Sequence, residues 1–220
     1  MIAFAAAALA VAVLAASAIA GVTVYSNGFT NKGGAKELRH GEGKNCRKGW
    51  RSKAKKVVVR AEKGKTVCGY RPPVEGDASM PDHYLQAREK LAKNTPKRVR
   101  DRVYLGVGVR SSKNAGYELW VFPTARKFKL AREAGGKVDF LANGKSKAIK
   151  GRGKSNNLGL KAVGSKIIAK ANGKKVAKVV DRNSQQVDGT KLEVLLGYKK
   201  KSSKAVAMTL DDLQLQVPNP

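Results

Sequence analysis

The acidic residues of this 220-residue chain that could act in catalysis stand apart from one another along the sequence. Hydrolysis of a glycosidic bond needs two carboxyl groups about 5–9 Å apart, and the sequence has no Glu-x-Asp-x-x-Glu run that would place them together on one strand. Glu118 and Glu193 stand alone, and Asp211 and Asp212 are adjacent, so a regular strand would point them to opposite faces. We therefore expect no catalytic residue and no converging carboxylate pair.

The Asp211-Asp212 pair also marks a change of phase in the last predicted strand. Val206, Met208 and Leu210 occupy even positions, whereas the apolar residues after Asp212 occupy odd ones. A β-bulge would absorb this one-residue slip. The bulge is the favoured interpretation of the pair, and a calcium-binding or catalytic role is the weaker alternative.

Trp120 lies in "YELWVF", where Glu118, Trp120 and Phe122 share one face of a predicted strand. An aromatic face beside a polar group is how many saccharide sites work. This pattern makes Glu118 and Trp120 candidate ligand-binding residues on a concave sheet. The commoner alternative is that Trp120 fills the core.

Basic residues dominate the composition, with 45 Lys and Arg against 16 Asp and Glu and a net charge of +29. A field of this strength attracts polyanions, although a solvated surface is the alternative. The sequence lacks a nucleic-acid-binding motif and only 6% of its residues are aromatic, so nucleic acid is an unlikely partner. The candidate basic ligand-binding residues are Arg152, Lys154, Lys170, Lys175, Lys199, Lys200 and Lys201.

Residues 2–24 contain no charged side chain and are long enough to cross a bilayer. Small residues at Ala16-Ser17-Ala18 and Ala18-Ile19-Ala20 fit signal-peptide cleavage sites, whereas the basic segment that usually precedes such a stretch is missing. We predict an export segment over residues 1–24, either cleaved or retained as an anchor, and an extracellular or cell-envelope location.

Two cysteines, Cys46 and Cys68, follow this segment. An even number of cysteines in an exported chain predicts one disulfide. Two free thiols, or a zinc site that includes His40, are the alternatives, and the second is weak because regular ligand spacing is missing. We expect no cofactor.

Period-two alternation predicts an all-β chain from residue 102 onwards. In "VYLGVGVR" Val103, Leu105, Val107 and Val109 share one face, opposite Tyr104 and two glycines. Many short strands separated by turn residues indicate a two-sheet antiparallel sandwich. Residues 31–53 are interpreted as a long loop, and residues 83–94 as a strand rather than a short helix that begins after Asp82.

Asn172-Gly173 predicts a two-residue hairpin turn. The expected strand pairs are Ala171 with Lys174, Lys170 with Lys175, and Ala169 with Val176. Since opposed lysines cost stability, the face that carries them must be open to water or to an anion.

The segments "GYELWVFP…FKLARE", "AIKGRGKSNNLGLKAVGSKIIAKANGKKVAKVVD" and "AVAMTLDDLQLQV" resemble the laminin-G-like, concanavalin A-like jelly roll of secreted bacterial proteins, over residues 84–217. The resemblance implies two packed antiparallel sheets. Carbohydrate-binding modules, glycoside hydrolases and adhesion domains share this fold, so the fold leaves the function open. The predicted organisation is an export segment (1–24), N-terminal strands and loops with the disulfide, belonging to the same sandwich (25–82), and the jelly-roll core (83–220).

The favoured function is a non-catalytic, exported module that contacts carbohydrate or anionic polymers of the cell envelope. A carbohydrate-active hydrolase of the same fold is the second hypothesis. Nucleic-acid binding through the basic surface is the third. The sequence does not predict an oligomeric state.

Overall fold

The computed structural model describes residues 22–62, 67–74, 82–187, 189–198 and 204–217. The predicted export segment lies almost wholly outside these residues, and so do Lys199, Lys200 and Lys201. Within the described ranges no helix has the length and apolar character needed to cross a membrane.

Nearly all of the regular structure is β-strand. One short helix, α1 (Lys32–Glu37), begins after Asn31, whose side-chain oxygen accepts a hydrogen bond from the Gly34 amide as an N-cap. The strands are β1 (Val22–Asn27), β2 (Arg39–Glu42), β3 (Cys46–Arg51), β4 (Lys56–Ala61), β5 (Val67–Arg71), β6 (His83–Leu91), β7 (Val103–Ser111), β8 (Ala115–Phe122), β9 (Lys127–Ala134), β10 (Lys137–Lys145), β11 (Ser155–Val163), β12 (Lys166–Ala171), β13 (Lys174–Val180), β14 (Lys191–Tyr198) and β15 (Val206–Val217).

The strands form two antiparallel sheets that pack face to face. The eight-stranded sheet has the order β13-β12-β11-β6-β15-β4-β3, with β1 also paired to β15. The seven-stranded sheet has the order β10-β9-β8-β7-β14-β5-β2. The prediction of an all-β, two-sheet antiparallel sandwich is confirmed, and strands from residues 22–71 take places in both sheets.

Alternating side chains build the core between the sheets. Val103, Leu105, Val107 and Val109 of β7 are fully buried, as are Tyr117, Leu119 and Val121 of β8. β6 also alternates between buried and accessible positions, which confirms that residues 83–91 are a strand rather than a helix. Because one side of each strand is committed to the core, the other side faces outward.

The interpretation of residues 31–53 as a loop is wrong, since they contain α1, β2, β3 and a 3-10 turn at Ser52–Ala54. The sequence of β3 does not show the alternation typical of a strand, because one of its inward-facing residues is Lys48. The Lys48 ammonium donates hydrogen bonds to the carbonyls of Ala35, Lys36 and Leu38. Trp50 on the same face donates from Nε1 to the Phe29 carbonyl.

The hairpin at Asn172-Gly173 is confirmed, with φ of 51° and 78° at the two turn residues. Lys170 pairs with Lys175 as predicted. The next pair differs, because a register shift after Lys170 places Ala169 opposite Ala177 instead of Val176. The bulge predicted in β15 is confirmed as a register shift between Leu210 and Asp212.

The predicted disulfide is present between Cys46 and Cys68, with a Cα–Cα distance of 5.6 Å. Cys46 lies on β3 and Cys68 on β5, so the bond joins the two sheets. Closing a loop of this length stabilises the folded chain by about 3 kcal/mol in the chain-entropy model.

Candidate functional site

Three carboxylates meet on the outer face of the seven-stranded sheet. Glu118 comes from β8, Glu193 from β14 and Glu42 from the end of β2, and among the described residues one oxygen of each lies within 4.8 Å of the others. The expectation that no carboxylates converge is therefore wrong. It failed because the three acids come from different strands, so their spacing along the chain carries no signal.

Glycines on the intervening strands bring the acids together. Gly108 of β7 pairs with Glu118 on one side and with Glu193 on the other. Gly69 of β5 is the partner of Glu42, and a Cβ added there would lie 2.7 Å from the Glu42 Cγ and 3.4 Å from the Glu193 Oε2. The acidic side chains thus lean over backbone that has no side chain of its own.

Arg71 neutralises one member of this cluster. Its Nη2 and Nε lie 2.6 Å and 2.7 Å from the Glu193 Oε1. The Glu193 side chain is only 6% exposed. Because a buried carboxylate needs a charged partner, Arg71 fixes both the charge and the position of Glu193.

The pKa values of the other two acids are raised from the ordinary range of a carboxyl group to near neutral pH. Burial, together with the charges of Glu42, Glu193 and Glu133, raises the pKa of Glu118 to about 8, against the lowering effect of a hydrogen bond from Trp120. Burial and the charges of Glu193 and Glu133 raise the pKa of Glu42 to about 7, although this side chain keeps contact with solvent. The cluster therefore offers both hydrogen-bond donors and acceptors to a hydroxyl-rich ligand.

Aromatic side chains adjoin the carboxylates on the same face. Trp120 stacks on Tyr104 with ring centroids 4.8 Å apart, and its edge meets Phe140 at 5.5 Å. The Trp120 Nε1 donates to the Glu118 Oε2. Trp120 is half-buried on the outer face, so it does not fill the core between the sheets.

Gly197 of β14 allows the aromatic cluster to pack directly against the sheet. A Cβ on Gly197 would lie 2.2 Å from the Tyr104 Cζ, which shows that the tyrosine ring lies directly on the β14 backbone. Lys129 places its Nζ 3.5 Å from the centroid of the exposed Phe140 ring, a cation–π contact. A cleft of about 540 Å³, lined in part by Phe122, Lys129 and Asn143, opens next to the aromatic cluster.

The predicted basic residues do not join this face. Lys170 and Lys175 lie on the outer face of the eight-stranded sheet. Arg152 and Lys154 lie in the loop of residues 146–154, where the Arg152 guanidinium donates to the carbonyls of Lys93 and Thr95. The predicted ligand-binding residues that the structure describes are therefore divided: Glu118 and Trp120 lie on one outer face, the two lysines on the other, and the remaining two basic residues in a loop.

Asp211 and Asp212 do not join the acidic cluster either. The Asp211 Oδ2 lies 2.9 Å from the Lys56 Nζ in an ion pair, which accounts for its charge. Within the described ranges, the three glutamates are the group of carboxylates close enough to share a cation. Oxygen ligands of this kind suit a hard ion such as Ca²⁺, but Arg71 and the two raised pKa values reduce the negative charge on offer.

Sequence reasoning singled out Glu118 and Trp120 but missed Glu42, Arg71 and Tyr104. One signal was available: Gly106 and Gly108 alternate with valines in "YLGVGVR". Glycines on the outward side of a central strand leave room for side chains from its neighbours. The two glycines therefore predict where the site lies, but they do not predict which side chains occupy it.

No protein-family model matches the sequence, and no curated protein matches it. Solved structures do share the fold. A carbohydrate-binding module CBM66 from Bacillus subtilis is 13% identical with a TM-score of 0.55, covering 80% of this chain and 94% of the module. A Bacillus subtilis protein of unknown function with a galectin-like fold is 12% identical with a TM-score of 0.64, covering 91% and 98% of the two chains.

A glycosidic hydrolase is also similar, at 12% identity and a TM-score of 0.62, covering 89% of this chain and 96% of the hydrolase. Identities this low establish the fold alone. The galectin-like and jelly-roll sandwich structures among these neighbours agree with the concanavalin A-like class indicated by the sequence.

Proposed function

We propose that this protein binds a carbohydrate polymer on the outer face of the seven-stranded sheet. The observation that carries the proposal is the contact between Trp120 and Glu118, which couples an aromatic stack to a cluster of carboxylates. The apolar face of a pyranose ring packs against an aromatic side chain, and carboxyl groups exchange hydrogen bonds with its hydroxyls. Carbohydrate-binding neighbours of the same fold support the proposal.

The setting of this function is outside the cytoplasm. The Cys46–Cys68 disulfide is typical of proteins that mature in an oxidising compartment. The uncharged stretch of residues 2–24 supports export. A polymer of the cell envelope is therefore the proposed partner.

The test is a calorimetric titration of the purified protein with hexasaccharides of β-1,4-glucose, β-1,3-glucose and β-1,4-N-acetylglucosamine. We expect at least one to bind, and Trp120→Ala to weaken that binding by 10- to 100-fold through loss of the stacking surface. Tyr84→Ala, on the opposite sheet, is the matched control and should leave the affinity unchanged. Equal losses in the two variants, or no binding of any hexasaccharide, would contradict the proposal.

Glycoside cleavage is a second candidate, favoured by the proximity of Glu118 and Glu193. A retaining glycosidase holds its two carboxyl groups about 5–5.5 Å apart, one protonated and one ionised. The raised pKa of Glu118 fits the acid, and the ion pair with Arg71 fits an anionic nucleophile at Glu193.

Incubation with the same hexasaccharides, followed by mass spectrometry, tests this activity. Shorter products with the wild type, together with intact binding and no products with Glu193→Gln, would establish cleavage. Binding without shorter products would leave the protein a non-catalytic module.

A further inference from the structure

The outer face of the eight-stranded sheet is strongly basic. Core-facing residues such as Val57, Val59, Leu85 and Ala169 fix the inward side of its strands, so the alternate positions point outward. Acidic residues on this face are few: Asp211 and Asp212 on β15, and Glu62, which follows β4 and lies 3.8 Å from Arg47. The outward basic residues come from six strands: Arg47, Arg51, Lys56, Arg60, Arg88, Lys90, Lys161, Lys166, Lys170, Lys175 and Lys178.

Like charges face each other directly on this sheet. Arg47 pairs with Arg60 across β3 and β4, and Lys170 pairs with Lys175 across β12 and β13. Opposed like charges destabilise a sheet. The ion pairs of the described residues include none for Arg60, Lys170 or Lys175, while Arg47 has a distant one, 3.8 Å from Glu62, with its own side chain 81% exposed.

A depression in this face concentrates the charge. Gly49, between Arg47 and Arg51 on β3, leaves open space, because a Cβ added there would meet no atom within 4 Å. The resulting pocket has a volume of about 290 Å³, and its charged lining residues include Arg47, Arg51 and Arg60 together with one acid, Glu62. Three guanidinium groups around one pocket suit an oxyanion, since each presents a planar fork of N–H donors.

We propose that this face binds a linear polymer of phosphate groups, with the arginine pocket at Gly49 as its anchoring subsite. The path from β3 to β13 crosses seven strands, which is roughly 30 Å at the usual strand spacing. Arg88 and Lys90 on the central β6 connect the arginine pocket to the lysines of β12 and β13. A bound polyanion would offset the repulsion between the paired like charges.

The face is poorly suited to nucleic acid. Proteins that bind single strands stack successive bases on aromatic side chains. Alternation places Tyr84 on this face, where its hydroxyl donates to Gln86, whereas Trp50 on β3 turns its indole toward the Phe29 carbonyl. A phosphate polymer without bases therefore matches the described part of the face better than RNA or DNA. The proposal is independent of saccharide binding, because the two sites lie on opposite outer faces.

The test is a titration of the full chain with long-chain inorganic polyphosphate at two salt concentrations. The triple variant Arg47→Gln, Arg51→Gln, Arg60→Gln removes the subsite. Its matched control, Lys113→Gln, Lys145→Gln, Lys147→Gln, removes the same charge from exposed positions elsewhere. We expect the subsite variant to lose at least tenfold in affinity and the control less than twofold. The slope of log K against log salt should fall by about two in the subsite variant alone.

Equal losses in the two triple variants would overturn the proposal, because they would show attraction by the overall charge rather than by a site. Thermal unfolding of each variant checks that the fold is intact. Gly49→Glu and Gly49→Gln provide a second pair, of equal size and different charge. A loss confined to Gly49→Glu supports the subsite, and unchanged affinity in both variants contradicts it. Tighter binding of single-stranded DNA than of polyphosphate at equal charge would overturn the choice of polymer.

Discussion

The two outer faces of the sandwich follow the same alternation but carry opposite chemistry. On the seven-stranded sheet, Glu42, Glu118 and Glu193 meet beside stacked aromatic rings. On the eight-stranded sheet, arginines and lysines from six strands point outward, and Arg47, Arg51 and Arg60 surround the open position at Gly49. The net charge of the chain is +29, yet the seven-stranded sheet brings acidic residues together on its outer face. The outer face of the eight-stranded sheet is basic, like the chain as a whole.

Glycine has a different role on each face. Gly69 and Gly197 lie beneath Glu42 and Tyr104, so their missing side chains allow close packing. No side chain covers Gly49, so the absence of its own side chain leaves a depression in the surface. The comparison shows that an average charge does not describe a local site: ion pairing, burial and shape decide what each face can bind.

The largest expected difference concerns the ion pairs of the two faces. Arg71→Met should lower the free energy of unfolding by about 2–3 kcal/mol, because it leaves the nearly buried Glu193 without its partner among other carboxylates. Arg47→Met should change the free energy of unfolding by about 0.3 kcal/mol or less, since its pair with Glu62 is long and exposed and its loss also removes the charge opposite Arg60. Urea unfolding at pH 7 measures both. Similar losses would show that the acidic face is no more dependent on its ion pair than the basic face.

The next difference is the response to pH. Burial raises the pKa of Glu118 from its ordinary value of 4.5 to about 8 in the folded protein, so the folded state holds a proton that the unfolded state releases. Its contribution to stability is therefore complete below pH 4.5 and is lost as the pH rises to about 8. We expect the melting temperature to fall across this window, and Glu118→Gln to reduce the fall.

Glu89 contributes a fall of the same sign, because its complete burial between the sheets raises its pKa well above the usual value. Glu89→Gln should therefore flatten the profile further, whereas Arg88→Gln on the basic face should leave it unchanged, since a guanidinium does not titrate in this range. A profile of Glu118→Gln that matches the wild type would show that this carboxyl is ionised in the folded protein.

The smallest expected effect tests repulsion on the basic face. Lys175→Glu places an acid opposite Lys170 and should raise the free energy of unfolding by about 0.5 kcal/mol at low salt. Lys154→Glu, in an exposed loop, is the control and should change it little. Urea unfolding at two salt concentrations measures the difference, which should shrink as salt screens the charges. Destabilisation by Lys175→Glu would mean that the paired lysines are not under strain.

The sandwich, most of its strands, the Asn172-Gly173 hairpin, the bulge in β15 and the disulfide could all be predicted from the sequence. Each of these depends on short-range rules: period-two burial, positive φ at Asn-Gly, a slip of phase and a pair of cysteines. The strands within residues 31–53 were not predicted, because Lys48 occupies an inward-facing position of β3. Its ammonium can lie there because it donates hydrogen bonds to backbone carbonyls.

The residues that come together on the two outer faces could not be predicted, because they depend on the order of the strands in each sheet. Glu42, Glu118 and Glu193 lie far apart in the chain and meet because β7 and β5 place Gly108 and Gly69 between them. Strand order in a sheet is set by the packing of the whole core, and a single strand carries no record of its neighbours. The pairing of Lys170 with Lys175 could be predicted because a two-residue turn joins their strands. The pocket lined by Arg47, Arg51 and Arg60 could not, because it depends on the pairing of β3 with β4.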